Sequence, residues 1–516
     1  MSDYAPLLKG RKRLLMTMGG EWQEQMDIDF YFIVGTPPRT VVDCHQLWQG
    51  GARLGGVGIG SITNDTRFET KTLTMNNAAT SFKMRSTITG HGAEGEFHQN
   101  GGLINHYFNI NGGANEFNWQ ITRPCAGNPV YPQGGTWVYD RQGWCPGEYS
   151  LLKEYYITPY VTPGSTVTLD YNTSNPPVSA GDYRYIAAHQ LISYSGPNQN
   201  LDAAMINVRK PGNYVEYSRE NPMCANPVII VRNTGSVNIS SLDIEYWINN
   251  TPTKETFTWN GNLAFMDTAS ITLPIGALWQ NAQMNSSKNY FNVELKKANN
   301  AADNYSYNNK MAIDFNLPDV ITDTLTVEFK TNNNPFENSY KLIDAAGNVV
   351  PGASTLNAPN TTFTDNYILN GCYRLVVEDS GEDGLQWWAS TAQGAGYVRF
   401  KNAQGAIIKT FQTDFGKGFE YSFSTKPFAY VGIKENDLNY NVRLYPNPAR
   451  NQFVLSMLST QESKVQITDM LGRNIELPFV LEKESYTFNT TSLKAGVYLV
   501  KITQNEKTCT KKLVIE

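Results

Sequence analysis

The feature that most limits what this chain can become is its rhythm. Short runs of β-branched and aromatic residues alternate with polar ones, and each run is cut off by Asn, Gly, Asp or Pro. Examples are "STVTLDYN", "RYIAAHQLISY" and "NPVIIVRNTGSVNISSLDIEYWINN". A period of two sends successive side chains to opposite faces of a sheet, and frequent turn residues leave no room for long helices. Aromatics make up 12% of the chain and charged residues only 17%, which suits many half-buried pleated surfaces. The reading is all-β. One hydrophobic core does not grow to 516 residues, so roughly three to five domains are expected.

Composition also excludes several function classes. The net charge is −5 and no long basic run occurs, so nucleic acid is not an expected partner. No apolar run is long enough to span a bilayer as a helix, so no transmembrane segment is expected. The six cysteines include no Cys-x-x-Cys pair, which argues against a structural zinc site. Cys125 and Cys145 flank a Pro- and Gly-rich loop and could pair, which would imply an oxidising compartment. Cys44, Cys224, Cys372 and Cys509 suggest no pairing. The start, "MSDYAPLLKGRKRLL", has basic residues but neither an apolar core nor a cleavage site, so it is not a signal peptide. Either the protein is cytoplasmic or the chain begins too late.

Turn spacing divides the chain into residues 1–50, 51–217, 218–318, 319–428 and 429–516. The third segment resembles the Ig-like CARDB adhesion modules in its Asn-Thr-Gly turn, Tyr-Trp strand and late Asn-Asn. The fourth is a further β-sandwich containing "GCYRLVVEDSGEDGLQWW". There Asp379, Glu382 and Asp383 are candidate calcium ligands, set against a plain acidic turn over a packed Trp pair. Otherwise no cofactor is expected. The last segment holds "YPNP", "DMLGR" and "GVYLV". Together these resemble the type A sorting domain of the type IX secretion system, read as a seven-strand sandwich. The resemblance implies a Bacteroidota-type source, type IX secretion machinery as a partner, and a secreted or cell-surface protein. That export route starts from a signal peptide, so an upstream extension is expected.

The stretch "PCAGNPVYPQGGTWVYDRQGWCPG", with "ITGHGAEGEFHQNGGLINHYFNING" before it and "DIDFYFIVGTPP" near the start, resembles the peptide-N-glycosidase F family. The resemblance implies two jelly rolls side by side. Residues 1–50 would be the C-terminal part of the first, and 51–217 the complete second. Ile28, Phe30 and Phe32 would then lack a partner sheet. The implied reaction hydrolyses the amide between N-acetylglucosamine and asparagine in an N-glycoprotein or glycopeptide. Such chemistry asks for a base to activate water, a donor for developing charge, and groups that grip sugar.

Matched residue by residue, the resemblance implies catalytic roles for Arg141, Glu96 and Glu21, with Glu94 competing for the place of Glu96. It puts Trp22, His91, His106, Trp137 and Trp144 along the substrate. A Cys125–Cys145 bridge would hold Arg141 rigidly, with Asp140 pairing to it. No residue matches the family's water-activating aspartate, so the chain as it stands is expected to be inactive or weak. The alternative is a non-catalytic glycan-binding or adhesion protein on the same fold.

Overall fold

The computed structural model describes residues 2–13, 35–51, 56–92, 95–97, 104–174, 183–282, 284–285, 288–428, 442–457, 463–482, 484–504 and 507–516. They form paired β-sheets throughout, with only short helical turns between them. Three sandwiches lie in one compact unit and a fourth lies in another. Among the described residues no helix is long and apolar enough to cross a membrane.

In the first sandwich, one sheet orders strands Arg39–Gly50, Arg184–Pro197, Ser81–His91 and Leu152–Tyr156. The other orders Lys71–Thr74, Thr166–Ser174, Asn105–Ile110 and Asn115–Trp119. The alternation read from the sequence sets the faces. In Asn105–Ile110, for instance, His106, Phe108 and Ile110 are buried and their neighbours are not. Trp48, Phe82, Met84, Phe108, Tyr171 and Leu191 fill the space between the sheets.

Two expected boundaries move. Strand Arg39–Gly50 pairs along Arg184–Pro197, and its Trp48 is buried in the same core. It therefore belongs to the sandwich that follows, not to a separate segment ending at residue 50. Strand Ala203–Lys210 pairs with Val228–Asn233, so the second sandwich begins near residue 203 rather than 218. The alternation in "RTVVDCHQLWQ" reads as a strand, while Ala203–Lys210 carries no such reading. Their partners are distant in the chain, and local pattern carries no information about pairing. The exposed face expected at Ile28, Phe30 and Phe32 lies outside the described residues.

The second sandwich joins a three-stranded to a four-stranded sheet between residues 203 and 315. The third joins a five-stranded to a four-stranded sheet around Leu325, Phe329, Leu342, Leu375, Phe400 and Phe423. The last domain has two four-stranded sheets packed on Phe453, Leu455, Phe488, Val500 and Leu513. That is one strand more than expected. The additional pairings include the exposed edge strand Phe479–Leu481, which carries no inward apolar rhythm of its own.

Candidate functional site

The short strand Arg141–Gln142 leaves the sandwich edge beside the end of Ser81–His91. Two contacts bring Glu96 to it. The Gln142 N–H donates to the Glu96 carbonyl at 2.9 Å, and the Phe97 and Arg141 backbones form an antiparallel bridge. Gly143 makes the crossing possible. It has φ +80°, and a Cβ there would strike the Ile88 carbonyl. A Cys125–Cys145 disulfide closes the loop across 20 residues. On the chain-entropy model such a link stabilises by about 3 kcal/mol.

The side chain of Arg141 is 7% exposed. It ion-pairs with the partly exposed Glu96 carboxylate. Its Nη2 donates to the Thr136 carbonyl at 3.2 Å. Its Cζ lies 4.6 Å from the Phe97 ring centre and 4.7 Å from that of Trp144, so two aromatic rings contact one cation. The Trp144 Nε1–H donates to the Gly90 carbonyl at 3.1 Å, which fixes that ring. Burial pushes Arg141 down to about 10, still charged at neutral pH. Its Nε has no hydrogen-bond partner among the described residues. A charged guanidinium held as a fixed fork has the donor geometry that a carbonyl or hydroxyl ligand requires.

The other expected site residues separate into groups. His91 stacks on Trp144 at 5.7 Å and shares a 2.8 Å hydrogen bond with the Thr89 hydroxyl, so Trp144 stands in contact with both His91 and Arg141. Partial burial lowers the His91 pKa. His106 does not border the site. It is 0% exposed in the sandwich core, its Nδ1 is 2.7 Å from the Tyr171 hydroxyl, and burial drives its pKa to about 3. His189 is equally buried and paired with Ser86. Trp137 also leaves the expected sugar surface, because it is fully buried and donates to Asp414 at 3.0 Å. Arg141 pairs with Glu96 rather than with its neighbour Asp140. Glu21, Trp22 and Glu94 lie outside the described residues.

Trp137 marks a contact with the third sandwich that the sequence did not suggest. Ala126, Trp137, Val138 and Trp387 form a small apolar cluster between the Arg141 loop and that sandwich. Gly416, at φ +65°, lies so close that a Cβ would meet the Ala126 carbonyl and approach the Trp137 ring to 2.9 Å. Arg219 spans the junction. Its guanidinium donates to the carbonyls of Asn128 (2.7 Å), Phe415 (3.1 Å), Ala126 (3.3 Å) and Gly418, under the Tyr131 ring. A second disulfide, Cys224–Cys372, ties the second sandwich to the third across 148 residues. Only the count of cysteines hinted at it; spacing did not.

The acidic turn at residues 379–384 is closed by its own backbone hydrogen bonds. The Asp379 carboxylate accepts the N–H groups of Gly381, Asp383 and Gly384 at 3.1, 3.0 and 2.6 Å, which closes the turn on itself. Among the described residues no three His, Cys, Asp or Glu side chains gather as a metal would need. Burial raises Asp379 from 3.8 to about 7, against the pull of those N–H bonds, and Asp383, Glu337 and Asp414 shift the same way. A raised folded-state pKa contributes stability that is complete below the ordinary carboxylate value and is lost as pH rises through about 7. Thermal melting should therefore show wild type gaining stability over Asp379→Asn between about pH 7 and pH 5. Parallel pH profiles would contradict this assignment.

Residues 59–191 match the family model "Peptide-N-glycosidase F, C terminal". Residues 443–516 match the secretion system C-terminal sorting domain. The chain thus carries a type IX export signal and is directed to the cell surface or the extracellular space. Neither model reaches the CARDB-like segment. No curated protein sequence matches the chain significantly. Among solved structures it is similar to a peptide-N(4)-(N-acetyl-β-D-glucosaminyl) asparagine amidase, at 24% identity and TM-score 0.28. It is also similar to PNGase F, a glycosylasparaginase from Flavobacterium meningosepticum, at 23% identity and TM-score 0.27. Each match covers 32% of this chain and 55% of the other, so the chain spans about half the length of the structures it matches. The matched segment contains Arg141, Glu96 and the Cys125–Cys145 bridge.

Proposed function

We propose that this is a secreted peptide-N-glycosidase F-like amidase acting on N-glycoproteins or glycopeptides. One observation carries the reading: a buried guanidinium held as a fixed fork between Phe97 and Trp144, inside the segment that matches the family model. In the proposed reaction, water adds to the asparagine side-chain carbonyl and the carbon–nitrogen bond breaks. Aspartate remains on the polypeptide and the glycan leaves as a glycosylamine. Arg141 donates hydrogen bonds to the innermost sugar and to the oxygen on which negative charge grows. Glu96 holds the guanidinium at its angle, while Trp144 and His91 offer faces for the sugar. The sorting domain supplies the export partner, and residues 218–318 serve as a CARDB-type spacer.

A second reading is a glycan-binding protein without catalysis. It is favoured by a specific observation: Glu96 is occupied by Arg141, and no other described carboxylate ion-pairs or hydrogen-bonds with that guanidinium. Incubating the full chain with a denatured glycoprotein and sequencing the product by mass spectrometry separates the two. The amidase reading expects free glycan and aspartate in place of the glycosylated asparagine. Intact glycopeptides after prolonged incubation with folded protein reject it and leave the binding reading.

A further inference from the structure

A groove of about 520 Å³ in the third sandwich opens next to the Arg141 loop. Trp388, 60% exposed, forms one wall. Its Nε1–H donates to the Gly135 carbonyl at 2.7 Å, so the indole edge is anchored on the Arg141 loop while much of the ring stays open to solvent. The groove is otherwise lined by Gln386, Thr391 and Thr413 among uncharged neighbours. The side chains of these three make no hydrogen bond to another described residue. An open indole beside an unused amide and two unused hydroxyls is the surface a pyranose fits: its C–H face lies on the ring and its hydroxyls meet the polar groups. Nothing in the lining attracts an ion.

A series of ring contacts also links the groove to the guanidinium. Arg141 lies over Phe97 at 4.6 Å, Phe97 meets Tyr139 at 6.1 Å, Tyr139 meets Trp387 at 5.2 Å, and Trp387 meets Trp388 at 6.0 Å. Tyr139 is itself exposed along this path. We propose that the Trp388 groove is a second saccharide subsite, which takes the outer sugars of the glycan whose innermost residue lies at Arg141. This rests on the placement of the glycan at Arg141 but not on hydrolysis. It also gives the third sandwich a role in recognition beyond spacing.

Calorimetric titration of the full chain tests it, with two free probes: chitobiose, and the same disaccharide extended by the trimannosyl core. Wild type should bind the extended probe about tenfold more tightly, the usual worth of one good aromatic contact. Trp388→Ala, at an exposed position, should remove that gain and leave chitobiose binding unchanged. Equal affinities for both probes in wild type, an undiminished gain in the variant, or no sugar binding at all would overturn the proposal. So would a Trp388 dependence that appears only with the unglycosylated peptide. If Trp388 carries the gain and no glycan is released from any substrate, the subsite stands and the amidase reading falls. If glycan is released and Trp388→Ala changes neither KM nor probe affinity, the amidase stands and the subsite falls.

Discussion

Replacing Arg141 by alanine should lower glycan release at least about 100-fold, the typical loss on removing one preorganised donor to a developing oxyanion. The fold should survive. Glu96 is partly exposed and regains water when its partner is removed, so the lost pair costs about 1 kcal/mol or less. Two other interactions of the guanidinium, with Thr136 and with the rings of Phe97 and Trp144, have partners that remain structured without it. Arg141→Lys keeps the charge but not the planar fork, and should recover only a small part of the rate. The check is an initial-rate comparison on a glycopeptide together with thermal melting. An alanine variant with nearly wild-type rate would remove Arg141 from the chemistry. A variant that loses activity only because it melts below the assay temperature would show a structural role.

The second large effect is expected at Arg219. Its half-buried guanidinium supplies hydrogen bonds to carbonyls on both sides of a module junction, including Asn128 and Phe415. Burial lowers its pKa to about 10, so it remains charged at neutral pH. Arg219→Ala strips several buried acceptors of their donor at once, and each costs about 1–3 kcal/mol when unmet. Partial relaxation makes a net loss of about 3–5 kcal/mol the reasonable expectation. The damage should appear first in the 126–147 loop, because Trp137 and Val138 depend on the same junction. Denaturant unfolding and limited proteolysis read the two effects. Unchanged stability with unchanged protection of that loop would show that the junction does not depend on Arg219. The Cys224–Cys372 link remains in the variant, so the second and third sandwiches stay tethered while the packing loosens.

These two arginines illustrate what can be read along the chain. Arg141 sits in a dense local pattern, with aromatics, Pro, Gly and a pairing cysteine all within a few positions, so a short window already held its neighbours. Arg219 lies in "YSREN", where nothing local marks it, because its partners come from residues 126–128 and 415–418. The same contrast separates the tryptophans. Trp137 and Trp144 look alike in sequence, yet one is buried against Asp414 and the other lies on Arg141. Which way a loop aromatic faces depends on what packs there, and here that was a module hundreds of positions away.

The strands show the same limit. Alternation marks Arg39–Gly50 as a strand, but pairing decides which sandwich owns it and Ala203–Lys210. His106 was misplaced for a related reason. It falls on the inward phase of Asn105–Ile110, and that phase put it in the core with Tyr171 rather than on a sugar-facing wall. In the acidic turn the crowding of carboxylates is visible in the sequence, whereas the three backbone N–H groups that bond Asp379 are a product of the turn's geometry.

Everything proposed for this chain depends on a sugar reaching the guanidinium of Arg141. A crystal structure of the full chain soaked with chitobiose asks that question most directly. The predicted result is the reducing-end N-acetylglucosamine within hydrogen-bond reach of Arg141 and in contact with the Trp144 or Phe97 ring. Chitobiose bound elsewhere, with the Arg141–Glu96 pair closed and empty of sugar, would contradict it.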